Sequence, residues 1–110
     1  MLEPLLAPQS IAVIGASRTP GKVGHELVAN LIESKFAGTV VPVNPSADQI
    51  LDLPCFPDLK SYGDTVDMTL IAVPTPVVKS SVEESIQAGA RAIVIITAGF
   101  KEVGAEGADV

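Results

Sequence analysis

The sequence predicts an α/β fold: a parallel sheet of about four strands in the order 2-1-3-4, with helices on both faces. Three observations predict it. Four short runs are rich in β-branched residues and apolar through their interiors, as strands covered on both faces are. Two of the stretches between them repeat apolar residues at helical spacing. The first run leads directly into a Gly-rich turn that opens the first helical stretch.

The first strand is read over Ser10–Gly15. The helix after it buries Val23, Leu27, Leu31 and Ile32 and turns Lys22, Glu26, Asn30 and Glu33 to water. The second strand, Thr39–Asn44, contains Pro42, which cannot donate to a ladder and so places this strand at or near a sheet edge. From Ile50 to Tyr62, Pro54 and Pro57 predict a loop with a short extra strand around Pro54–Phe56 in place of a full crossover helix. The third strand runs from Asp67 to Pro74. Thr75 is then read as an N-cap and Pro76 as the first residue of a helix that buries Val78, Val82 and Ile86 and stops at Gly89. The fourth strand, Arg91–Thr97, forms the other edge. Its Ala-Ile-Val-Ile-Ile run is apolar, a kind of edge that proteins usually cover, so self-association of this stretch is expected.

The 110 residues are read as one domain, 1–110, truncated at its C-terminus. With 47% apolar and 18% charged residues, disorder is excluded. No Trp, one Tyr and three Phe leave few platforms for stacking single-stranded nucleic acid. Thirteen acids against seven bases, a formal charge of −6, disfavour a duplex partner. No run approaches the roughly 18 to 20 apolar residues that span a membrane, and the start lacks the basic region of a signal peptide. Cys55 is the single cysteine, so no internal disulfide forms. Together these features lead to the expectation of a cytoplasmic protein with neither nucleic-acid nor membrane partners and no metal-ligand cluster.

The chemistry concentrates between Gly15 and Gly24. Open α/β sheets bind ligands at the carboxyl ends of their strands, where a glycine turn lets backbone amides approach a phosphate. Gly15, Ala16, Ser17, Arg18, Lys22 and Gly24 are the candidates, and Arg18 and Lys22 are two of only seven basic residues. A tight turn needing glycine for its dihedrals alone is the structural alternative. The spacing matches neither G-x-G-x-x-G nor G-x-x-x-x-G-K-[ST]. At the end of the second strand, where a free ribose 2′-hydroxyl meets an acid, this chain has the neutral Asn44, which disfavours NAD.

Taken in order, IAVIGAS…PGKVG, PVNP, IAVPTPVV and ITAGFKEVG resemble the N-terminal CoA-binding domain of ADP-forming acyl-CoA (acetyl-CoA) synthetases, which is related to the α subunit of succinyl-CoA synthetase. The same domain opens some protein acetyltransferases. The resemblance implies a Rossmann-like domain whose ligand is coenzyme A or acyl-CoA. Ser17 and its neighbours would cradle the phosphates, with Arg18 or Lys22 offsetting their charge. Asn44 and Pro45 would face the adenosine, while Val73-Pro74 and Thr97-Ala98-Gly99 would line the path of the pantetheine arm. Many relatives carry Lys or Arg just after VNP; Ser46-Ala47 here leaves the charge work to Arg18 and Lys22.

The parent reaction implied is acyl-CoA, ADP and phosphate giving acid, CoA and ATP through an acyl phosphate and a phosphohistidine. The phosphohistidine and nucleotide-grasp parts lie in other domains or a partner subunit, so this stretch is expected to supply the CoA site and no catalysis. Single residues fit that view. His25 is read as a residue of the polar helix side, Cys55 as a packed small group, and Glu83 and Glu84 as solvated. Asp67 and Glu102 are minor candidates for orienting ligand groups. The competing readings are an NADP or other nucleotide-sensing domain and a non-catalytic interaction module.

Overall fold

β1 (Ser10–Ile14) is apolar throughout its interior and sits where that composition requires, with Ala12 and Val13 wholly buried. The computed structural model describes residues 9–96. β2 (Thr39–Val43) pairs in parallel along one side of β1, and β5 (Met68–Ile71) along the other. β6 (Ala92–Ile95) completes the sheet beyond β5, again in parallel. The order β2-β1-β5-β6 is the predicted 2-1-3-4, because the intervening β3 (Gln49–Ile50) and β4 (Leu53–Pro54) form a separate antiparallel hairpin.

Strand alternation divides the core into two layers. Val13 points to one face, where it meets Val28 of α1 (Val23–Glu33) together with Ala47, Ile50 and Cys55 of the hairpin region. Ala12, Ile14 and Ile71 point to the other face, which holds Leu59 of α2 (Leu59–Tyr62) and Val82 of α3 (Thr75–Gln87). The helices thus lie on both faces, as the reversal of strand order demands.

Each helix keeps part of its predicted stripe, with Leu27 and Leu31 of α1 and Val82 of α3 packed against the core, but the most buried positions lie to one side of it. In α1 the buried residues are Gly24 and Val28, while Ile32 is 42% exposed. In α3 they are Ser81 and Ser85, while Ile86 is 61% exposed. Small side chains explain both differences, because they let a helix axis approach the sheet more closely than an aliphatic residue would. The buried Ser85 hydroxyl is satisfied within the helix, donating to Ser81 O at 2.8 Å. The start of α3 also differs: Pro74 is the extended N-cap, Thr75 is already helical, and no side chain caps the turn. Its end is as predicted. Gly89 adopts φ +85°, with Ala90 N donating to Ser85 O and Gly89 N to Ile86 O, a Schellman stop.

Pro42 lies on an edge strand, as predicted, although its side chain is fully buried. Its carbonyl accepts from Phe56 N, and Asn44 N donates to Phe56 O, so residues after β4 shield the outer edge of β2. The predicted extra strand is therefore present as β4 and this bridge. The hairpin turn between β3 and β4 uses Leu51 and Asp52, both at positive φ, which is the backbone twist a two-residue hairpin favours. At the far edge Val94 and Ile95 of β6 are 42% and 46% exposed, the apolar rim that the sequence led one to expect.

Gly24 sets the distance between α1 and β1. A Cβ there would fall on the Gly15 carbonyl oxygen and 2.9 Å from Ala16 Cα, both of them backbone atoms that cannot swing aside. Gly24→Val is expected to destabilise the fold by about 1–3 kcal/mol or more, as overpacking does. Gly21 has φ +93° and open space around it, so Gly21→Ala is expected to cost only the backbone penalty of about 1 kcal/mol. Urea unfolding of the two variants measures the contrast; equal costs would show that α1 does not depend on the close approach.

Candidate functional site

A cleft of about 640 Å³ opens at the carboxyl ends of β1, β2 and β5, the end at which open parallel sheets bind ligands. The loops after β1 and β2 and the first turns of α1 and α3 frame it. It brings together Gly15, Ala16, Ser17, Lys22, Gly24, Asn44, Pro45, Val73 and Pro74. Arg18 lies exposed on the same loop, outside the lining. Thr97, Ala98 and Gly99 lie outside the described residues; Ile96, just before them, lines the cleft.

The loop after β1 is shaped from the strand outward. Gly15 adopts φ +92°, and a Cβ on it would fall on the Ala72 carbonyl at the end of β5. Gly15 N and Ala16 N both donate to Val43 O, at 3.1 and 3.2 Å, so these two amides join strand ends and are not aimed at a ligand. Ser17 Oγ accepts from Thr19 N at 3.0 Å, which leaves the hydroxyl proton available for donation. Lys22 is the N-cap of α1, and no side chain caps that helix. His25 N and Glu26 N donate to Lys22 O, and the residues before them, Val23 and Gly24, line the cleft at the helix start beside a lysine, an arrangement that favours negative charge.

Asn44 acts as a clasp. Its Nδ2 donates to Ala16 O at 2.7 Å, its Oδ1 accepts from Ser46 N at 2.7 Å, and its backbone N donates to Phe56 O. A carboxylate could take the second role but not the first, so the neutral residue has a local reason independent of any ligand. Val73, Val77, Val43, Ile14 and Ile96 make part of the cleft lining apolar, while Ser17, Lys22, Asn44, Ser80, Ser81 and Glu84 add polar groups.

Several residues depart from their predicted settings. His25 is not on an open polar face: its side chain is 13% exposed, with Nδ1 3.4 Å from Glu26 Oε2, and it is not part of the cleft lining. Asp67 stands before β5, at the amino end of the sheet and away from the cleft, where its Oδ2 accepts from Gln9 N at 2.7 Å. Glu84 is not simply solvated. It reaches across to accept from Leu59 N, closing the first turn of α2, and it borders the cleft. Glu102 lies outside the described residues. Cys55 is buried as expected, and that burial pushes its thiol up despite contacts with the Asn44 and Phe56 carbonyls.

Sequence reasoning missed Val77, Ser80, Ser81 and Glu84 of α3 as part of the lining. The pair of small residues at 81 and 85, one helical turn apart, was the available signal for Ser81. Among the described residues no three His, Cys, Asp or Glu side chains group as a metal site. No helix there is long and apolar enough to cross a membrane.

Comparison with known proteins agrees with this geometry. Residues 9–108 match the family described as CoA binding domain. The chain is 47% identical over 108 residues to acetate–CoA ligase [ADP-forming] II of Archaeoglobus fulgidus, covering 98% of this chain and 16% of that protein. It is 40% identical over 110 residues to the α subunit of acetate–CoA ligase [ADP-forming] I of Pyrococcus furiosus, covering 96% of this chain and 24% of that one. Among solved structures, the apo form of the dinucleotide-forming acetyl-coenzyme A synthetase 1 of Ca. Korarchaeum cryptofilum superposes with a TM-score of 0.85 at 42% identity, over 96% of this chain and 23% of that one. The chain thus spans a quarter or less of the length of each of these relatives. A parallel sheet of this order, a glycine turn at its carboxyl edge and a family match across residues 9–108 lead to one conclusion: the chain belongs to the CoA-binding domain family.

Proposed function

We propose that this chain binds coenzyme A across the carboxyl ends of β1, β2 and β5, as the CoA module of an ADP-forming acyl-CoA ligase. The observation that carries the reading is the mixed lining of the cleft. Its polar groups include the uncapped start of α1, the Ser17 hydroxyl and Lys22, and its apolar groups include Val73, Val77 and Ile96. CoA has the same division, with a pyrophosphate and a 3′-phosphate at one end and a long neutral pantetheine arm at the other. The close approaches at Gly15 and Gly24 support the fit, because they bring main chain to the cleft surface where side chains would otherwise fill it.

In this reading the residues of this chain bind and orient. Lys22 and the α1 amides hold the pyrophosphate, and Arg18, free on the loop rim, reaches the 3′-phosphate. The apolar groups align the arm so that the thiol leaves the cleft past Ile96. Transfer between acyl phosphate and thiol, and phosphorylation of ADP, would fall to other parts of the ligase.

Calorimetry with CoA, dephospho-CoA and NADP tests the reading: binding is expected in that order of decreasing affinity. NADP binding as tight as CoA, or no binding of CoA, would refute it. Arg18→Ala and Lys22→Ala are each expected to weaken CoA by about 1.5 kcal/mol, the lower end for a charge-assisted contact because both sites are solvent-exposed. The Arg18 variant is expected to lose most of the preference for CoA over dephospho-CoA. Asn44→Asp removes the donor to Ala16 O and adds a charge near the phosphates, so it is expected to lower both unfolding free energy, by about 1–3 kcal/mol, and CoA affinity. Full affinity in that variant would show that the clasp does not shape the site.

A further inference from the structure

We propose that Glu26 is a positioning residue for phosphate binding, holding the 17–22 loop in its binding shape although its own charge opposes an anion. The inference rests on the CoA reading above. Little besides hydrogen bonds holds this loop. Arg18, Thr19, Pro20, Gly21 and Lys22 are all exposed, and the space around Gly21 is open. Within the loop, Thr19 N donates to Ser17 Oγ and Lys22 N to Thr19 O, both contacts between near neighbours. The contact that reaches from the loop to a side chain inside α1 is Gly21 N donating to Glu26 Oε2 at 3.1 Å.

The geometry is that of a capping box moved outward by one residue at each end. In the usual arrangement the third helical residue reaches back to the N-cap amide; here the fourth, Glu26, reaches back past Lys22 to Gly21. Its anchor is firm, since Gly24 and Val28 of the same helix are buried against the sheet. The same Oε2 lies 3.4 Å from Nδ1 of the largely buried His25. Arg18 and Lys22 stand on either side of the held amide, so the brace fixes the spacing of the two cations that would meet the phosphates.

Two effects therefore oppose each other at one side chain. The negative charge, half-exposed at the rim, disfavours CoA by about twofold after screening. Loss of the accepted hydrogen bond, which frees the loop, disfavours it by roughly threefold to tenfold. The brace outweighs the repulsion. Glu26→Ala is then expected to bind CoA more weakly than the parent chain by a net factor of about 1.5 to 5, against what charge alone dictates. Glu26→Gln keeps an acceptor oxygen and removes the charge, so it is expected to bind about twofold more tightly than the parent.

The test combines calorimetry with CoA and amide exchange at Gly21, followed by NMR on the 110-residue chain. Exchange at Gly21 is expected to be slow in the parent and in Glu26→Gln and faster in Glu26→Ala, with CoA affinity in the order Gln, parent, Ala. Pantetheine, which has no phosphate, is expected to bind all three alike; if it weakens together with CoA in Glu26→Ala, the effect is general loss of structure and the inference falls. Equal or tighter CoA binding by Glu26→Ala, or Gln behaving like Ala, also overturns it. If the parent binds no CoA, the CoA reading itself fails, and Gly21 exchange still decides whether Glu26 holds the loop.

Discussion

The cleft depends on a single close contact, the α1 backbone at Gly24 lying directly against the Gly15–Ala16 turn at the end of β1. Two other strand ends converge on the same turn. Val43 O at the end of β2 accepts both of its amides, Asn44 Nδ2 donates to Ala16 O, and the Ala72 carbonyl after β5 occupies the place of a Gly15 side chain. A backbone knot of this kind tolerates no extra atom, yet the Gly15 and Ala16 amides and the Ala16 carbonyl are all paired. Its rigidity turns a flexible-looking glycine sequence into a surface on which a ligand can lie.

Beyond the knot, the two layers do different work. On the α1 face, aliphatic side chains from Val13, Val28 and Ile50 fill the space, so that the helix start is held while its first turn remains open to the cleft. On the α3 face, Ser81 and Ser85 bring the helix in close, which places Val77, Ser80 and Glu84 along the cleft wall. Glu84 links this wall to α2 by closing its first turn, where Asp58 also caps and is held below the usual carboxylate range by its hydrogen bonds from Ser61.

Parallel strand order was determined by the amino-acid sequence itself. Unbroken apolar runs such as Ala12–Ile14 demand cover on both faces, and right-handed crossovers then leave few topologies. Pro42 announced an edge and Gly89 a helix stop for reasons of local chemistry, a missing amide and a left-handed dihedral, that need no tertiary context. Gly15, with its left-handed dihedral, was visible as a candidate for the same reason. The rotation of both helices was decided only in three dimensions. Periodicity ranks side chains by hydrophobicity, whereas contact with a sheet also selects for small size, and so Gly24, Ser81 and Ser85 displaced Ile32 and Ile86 from the buried faces. The partners of Asn44 and Glu84 were equally hidden. Asn44 Nδ2 meets a carbonyl 28 positions away and Glu84 an amide 25 positions away, and hydrogen bonds across such separations follow from chain crossing, which no local pattern encodes.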